Sequence, residues 1–241
     1  MNTKKYLIMA TIPQREKTLK KIIDPLYNQV DEIRLVFNNY EAIPYWVTEF
    51  CKIKPLLNTP DKYTSNAVWL MMNEVDGYVF VCDDDIVFPI DYVPVMIETL
   101  KKYNHKALLS MYGEVVPRPF RDYCEGRTGY IFDHELKEDL PVDICGGGCS
   151  LFHTDFLRPS MNDFPDIYSR DLWLSILAHK NNLLLIRPKS NHNWVQYGKV
   201  PAGSPEIRLI WPSNPKLVER RKEVFRDVLC PLLNPNKPKF C

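Results

Sequence analysis

Three consecutive carboxylates, Asp83, Asp84 and Asp85, follow the apolar run Tyr-Val-Phe-Val-Cys at 78–82. Like charges placed side by side repel, so such a triplet persists only where something positive meets it. If the chain stays extended there, Asp83 and Asp85 point the same way and grip one hard divalent cation, Mg²⁺ or Mn²⁺, through oxygen, while Asp84 turns toward a different partner such as a hydroxyl. The competing reading is a helix N-cap, because Pro89 and Asp91 announce a helix soon after. One Asp suffices for a cap, so three favour a metal or nucleotide site.

The elements that must position these acids follow from periodicity. Residues 78–82 have the continuous apolar character of a strand covered on both faces, and the carboxyl ends of such strands are where open α/β sheets bind ligands. Upstream, residues 5–11 predict a first strand stopped by Pro13, and Leu19, Ile22, Ile23 and Leu26 give residues 16–28 helical spacing. Residues 32–37 and 52–57 predict two further strands, 64–75 a helix, Asp76-Gly77 a turn, 91–103 a helix and 107–111 a strand. This alternation up to residue 112 indicates βαβ units around a mostly parallel sheet flanked by helices, an α/β fold.

Beyond residue 113 the pattern loosens. Residues 113–148 predict long loops or a small antiparallel excursion closing on Gly146-Gly147-Gly148, followed by strands at 149–153 and 183–187 and a helix at 170–180. The stretch 196–215, broken by Gly198, Pro201, Gly203 and Pro205, reads as a mobile lid. Residues 216–229 predict an amphipathic helix whose Arg220, Arg221, Lys222 and Arg226 face could meet a membrane surface or an anionic acceptor, the alternative being simple packing of its apolar face. The whole is expected to be one domain, with halves at 1–112 and 113–195 and a lid and helix at 196–241.

With 241 residues, 45% hydrophobic and 25% charged, and a net charge of +1, the chain has the composition of a globular protein and no global attraction to nucleic acid. Arg118, Arg121 and Arg127 leave room for a local phosphate contact. The apolar stretch before Pro13 is too short to span a bilayer, and no later stretch suffices, so a soluble cytoplasmic or peripheral enzyme is expected. The odd, scattered set of seven cysteines suggests reduced thiols, and Cys145 and Cys149 lack a second pair with zinc spacing.

Taken in order, Ala-Thr-Ile-Pro-Gln-Arg-Glu at 10–16, the acid run with its strand at 75–85, Gly-Gly-Gly-Cys-Ser-Leu-Phe-His at 146–153 and Arg-Asp-Leu-Trp at 170–173 ahead of His192 resemble the GT-A glycosyltransferases, specifically the family-two-like inverting group. The resemblance implies a GT-A fold with an irregular acceptor-side half, and transfer of a sugar, hexosyltransferase-like, from a nucleotide-diphosphate donor, with a UDP-sugar favoured. It assigns Thr11, Pro13 and Arg15 to the donor nucleotide, Arg15 being suited also to a phosphate. Asp61, Lys62 and Asn66 are assigned to base and ribose, and Asp84 and Gly147 also to the donor. Asp83, Asp85 and His192 would hold the metal, and Asp171 would be the catalytic base. The family's Glu-Asp pair stands here as Arg170-Asp171, with Asp166 the nearest substitute carboxylate. His153 and His179 are expected to be structural. Acceptors compatible with this reading are a saccharide, a lipid-linked glycan, a protein side chain or a modified DNA base. A nucleotidyltransferase shares the paired acids but brings a Gly-rich loop after its first strand, which Thr11-Ile-Pro-Gln-Arg lacks. A non-catalytic carbohydrate-binding or scaffold protein of the same fold is the remaining alternative.

Overall fold

The computed structural model describes residues 2–118, 126–199 and 214–233. The chain opens with β1 (Lys5–Thr11), a short 3₁₀ turn at Pro13–Arg15 and α1 (Glu16–Tyr27), followed by β2 (Glu32–Asn38) and β3 (Ile53–Asn58). A 3₁₀ segment, Thr64–Met71, precedes β4 (Tyr78–Cys82), β5 (Ile86–Val87), α2 (Tyr92–Lys102) and β6 (Ala107–Ser110). The remaining described elements are β7 (Gly113–Val115), β8 (Thr128–Tyr130), β9 (Leu140–Pro141), β10 (Ile144–Cys145), β11 (Cys149–His153), α3 (Arg170–Lys180), β12 (Leu184–Arg187), β13 (Gln196–Tyr197) and α4 (Pro215–Val224).

The large sheet has the order β3-β2-β1-β4-β11-β6-β12-β9. Its first four strands run parallel, β11 enters antiparallel between β4 and β6, and β12 returns parallel to β6. Alternation along β4 explains its uninterrupted apolar sequence. Tyr78, Phe80 and Cys82 enter the core shared with α1 and α2, whereas Val79 and Val81 enter the core shared with α3. α1 buries the predicted Leu19, Ile22, Ile23 and Leu26 against the first of these cores. Gly77 fits the turn ahead of β4 because its φ is +138° and a Cβ there would lie 2.2 Å from the Lys4 carbonyl oxygen.

One expectation is revised and two take definite form. Residues 64–75 do not form an α-helix; the helical part is the 3₁₀ segment ending at Met71. The irregular region holds a three-stranded antiparallel sheet, β10-β7-β8, and β13 pairs with β5. The predicted helix at 216–229 is α4 continued by a π-helical turn, Phe225–Leu229, whose Val224, Phe225 and Leu229 pack into the α3-side core. On its basic face Arg220 lies 3.5 Å from Asp166 and Arg221 donates to the Tyr168 carbonyl, while Arg226 is exposed beside Asp227. The apolar face of this helix is packed, as one of the two readings expected. The proposed lid lies outside the described residues except at 196–199 and 214–215. Among the described residues, no helix is long and apolar enough to cross a membrane, and Cys51, Cys82, Cys145, Cys149 and Cys230 are free thiols.

Candidate active site

β4 ends at Cys82, so the acids do not continue the strand. Asp84 and Asp85 form a turn that leads into β5, with the Ile86 N–H donating to the Asp83 carbonyl at 3.4 Å. The alternation that would aim Asp83 and Asp85 the same way therefore does not govern them. Nor do the acids cap α2, whose N-cap is Asp91; its carboxylate accepts from Trp194 Nε1 at 3.1 Å.

Two arginines meet the triplet. Arg15, expected to reach a phosphate, is buried and donates through Nη1 to Asp84, while its Nη2 lies 3.3 Å from Asp85. Burial opposes the charge on Arg15, but Asp84 and Asp85 outweigh it and hold its pKa above the usual value. Arg170 donates through Nη2 to both oxygens of Asp83, at 2.9 and 2.8 Å. Two guanidiniums do not fully compensate three carboxylates. Burial, then the charge of Asp83, pushes the Asp85 carboxyl up to about 6 despite Arg15. Burial also raises Asp84, one of whose oxygens has no hydrogen-bond partner.

The Gly146-Gly147-Gly148 strap runs across this centre, and its closest neighbours are protein side chains rather than an open donor cavity. A Cβ on Gly146 would meet Tyr112 at 2.9 Å, one on Gly147 would meet Arg170 Nε at 2.7 Å, and one on Gly148 would lie 1.8 Å from Asp83 Oδ2. The Gly148 carbonyl also accepts from the Asp83 N–H at 2.7 Å. The Gly147 N–H donates to Asp171 Oδ1 at 2.8 Å, which brings Asp171, in the first turn of α3, to the same strap. Asp171 is not the cap of α3, which is Ser169. Asp166, the substitute considered for Asp171, is committed to the Tyr168 and Ser169 N–H groups and to Trp173 Nε1.

Among the remaining expected residues, Thr11 is buried at the end of β1 and Pro13 is exposed. Asp61 lies just ahead of the 3₁₀ segment and accepts from Asn58 Nδ2 at 3.1 Å and from the Tyr63 and Thr64 N–H groups at 2.9 Å. Lys62 is exposed; Asn66 is buried, donating to the Asp166 carbonyl while its Oδ1 has no partner. His192 stands exposed on the turn between β12 and β13, and among the described residues no three His, Cys, Asp or Glu side chains converge as metal ligands. His153 and His179 are structural, each with a ring nitrogen at a backbone carbonyl. Arg118 and Arg127, considered for phosphate, pair with Asp143 and Glu114; Arg121 lies outside the described residues. The ion pairs of Arg15 and Arg170 were not foreseen. The only signal for the second was Arg170 standing where the resemblance places a Glu.

The donor set suits a hard divalent cation. Asp83 and Asp85 offer only carboxylate oxygen, both side chains are about a third exposed, at 33% and 29%, and the triplet carries excess negative charge. Mg²⁺-type ions are commonly held by one or two carboxylates together with substrate oxygens. Asp85 is the more available ligand, since Arg170 engages both oxygens of Asp83.

No family model and no curated protein matches this sequence. Among solved structures, GalNAc-T7 with UDP, GalNAc and Mn²⁺ matches with a TM-score of 0.63 over 92% of this chain at 11% identity. The chain spans about half of GalNAc-T7, 48% of its length. Glucosyl-3-phosphoglycerate synthase from Mycobacterium tuberculosis, solved with Mn²⁺, UDP-glucose and phosphoglyceric acid, covers 45% of this chain at a TM-score of 0.37 and 14% identity, a likeness that carries no argument. Strand order, the acid turn after β4 and the GalNAc-T7 superposition define the class: the chain has the GT-A glycosyltransferase fold. The fold is α/β, with a mostly parallel central sheet flanked by helices, as expected.

Proposed function

We propose that the protein transfers a sugar from a nucleotide-diphosphate donor, UDP-sugar first, to an acceptor hydroxyl, with inversion. The observation that carries this reading is the acid turn at the carboxyl end of β4, where three carboxylates face two guanidiniums and the partly exposed Asp85 is pushed up to about 6. Under-compensated carboxylates at a sheet's ligand-binding end mark a place that awaits a cation. Asp85 and Asp83 would hold that cation, Mn²⁺ or Mg²⁺. When bound, it supplies Lewis-acid neutralisation of the departing diphosphate.

The chain's own groups do the rest. Arg15 braces Asp84 and Asp85 and so fixes the turn. Asp171 acts as the base: the Gly147 N–H occupies one lone pair of Oδ1, and the carboxylate's other lone pairs can take the proton of an acceptor hydroxyl as it attacks the anomeric carbon. Thr11 and Asn66, each with a buried side-chain oxygen lacking a partner, are proposed to contact the donor nucleoside. His192 would join the metal only if its turn moved toward the acids.

A panel of nucleotide sugars, screened by thermal denaturation with and without Mn²⁺, tests the reading. A ligand at 100 times its Kd adds about 2.7 kcal/mol, which raises the Tm by roughly 5–10 °C for a chain of this size. At least one UDP-sugar should do so only with Mn²⁺; no shift from any nucleotide sugar would refute the proposal.

A further inference from the structure

Arg170 sits beneath the acid turn rather than beside it. Its side chain is 9% exposed, whereas that of Asp83 is 33% exposed, so in this pair the cation is inside and the carboxylate faces outward. Three contacts fix the guanidinium: Nη2 to both Asp83 oxygens, Nη1 to the Ser65 carbonyl at 3.2 Å, and Nε against the bare Cα of Gly147, where a Cβ would come within 2.7 Å. A buried arginine held this way cannot easily swing aside, and it stays charged.

The charges make this consequential. Three carboxylates of the turn face two guanidiniums, and Asp171 adds a fourth carboxylate acting on Arg170. A bare divalent cation bound through Asp83 would sit close to the Arg170 charge, whereas a cation arriving with a nucleoside diphosphate brings its own anions. Resting on the reading above, we propose that Arg170 is the standing counter-ion of Asp83 and competes with the divalent metal. The free protein would then bind metal weakly and through Asp85, and would take it up tightly only together with the nucleotide. By linkage, the nucleotide must tighten the metal by the same factor as the metal tightens the nucleotide.

Mn²⁺ binding followed by electron paramagnetic resonance, with and without UDP, tests this apart from any turnover. Without UDP, Arg170→Gln should bind Mn²⁺ at least about tenfold more tightly than wild type, as removal of a neighbouring like charge requires. Asp83→Asn should lose less binding than Asp85→Asn, because Arg170 already holds Asp83. Should Arg170→Gln fail to fold, the asymmetry between the two Asp variants decides the matter. Arg170→Gln binding no more tightly than wild type, or Asp83→Asn losing as much as Asp85→Asn, would overturn the competition while leaving a metal-dependent transferase in place. No Mn²⁺ bound by wild type even with UDP would overturn both.

Discussion

The two ends of the parallel sheet carry the same kinds of residue in opposite proportion. At the amino end, the single carboxylate of Glu32 meets Lys4 at 3.0 Å, Lys54 at 3.1 Å and Arg34 at 2.7 Å. Burial alone would push its carboxyl up, but the hydrogen bonds from Lys4, Arg34 and Lys54 outweigh it and bring the pKa down to about 2. At the carboxyl end, Asp83, Asp84 and Asp85 share two arginines, and Asp85 is driven up to about 6. An acid surrounded by more cations than it needs is a clamp. Acids left short of positive charge are poised for a ligand, and the ratio separates the two where residue type does not.

The comparison breaks first at Asp171. Asp171→Asn should lower turnover by roughly 10²–10⁴-fold with donor affinity near wild type. A variant that instead loses donor binding or melts early would assign Asp171 to holding the Gly147 strap. Next in size is Gly148→Ala. Its Cβ would lie 1.8 Å from Asp83 Oδ2, so the carboxylate must leave Arg170. A stability loss of about 1–3 kcal/mol, as for an unsatisfied buried polar group, is expected, together with altered Mn²⁺-dependent UDP binding; calorimetry showing both unchanged would mean the strap does not position Asp83.

The smallest effect on ligand binding belongs to the amino end. Glu32→Gln should cost about 1.5–3 kcal/mol at neutral pH, the range for hydrogen bonds to charged groups, and leave UDP binding intact. Because the folded-state pKa of Glu32 is depressed, its contribution is complete above the ordinary glutamate value of 4.5 and disappears as pH falls toward about 2. Urea melts should therefore show wild type and Glu32→Gln converging between those values. Parallel curves down to pH 2, or weakened UDP binding, would remove the contrast between clamp and site.

Much of this was legible in the sequence, and the rest depends on pairing across long separations or on elements too short to carry a pattern. Local periodicity placed β1, α1, β4, β11 and α3, because strands buried on two faces and a helix with one apolar face write their pattern over consecutive residues. The acid triplet was visible for the same reason. Its partners were not: Arg15 is 69 residues from Asp84 and Arg170 is 87 residues from Asp83. Charge pairing at that separation depends on how β1 and α3 are brought to one sheet edge, which composition does not encode. The strands β7, β8 and β10 are two or three residues long, too short for alternation to register.

The central claim is that the under-compensated turn holds a divalent cation which in turn holds the donor diphosphate. Calorimetric titration of UDP into wild type and Asp85→Asn, each with Mn²⁺ and with chelator, tests it most directly. The account predicts that wild type binds UDP strongly only with Mn²⁺, while Asp85→Asn, still folded, binds at the chelator level in both conditions; UDP binding by Asp85→Asn that matches wild type and responds equally to Mn²⁺ would contradict it.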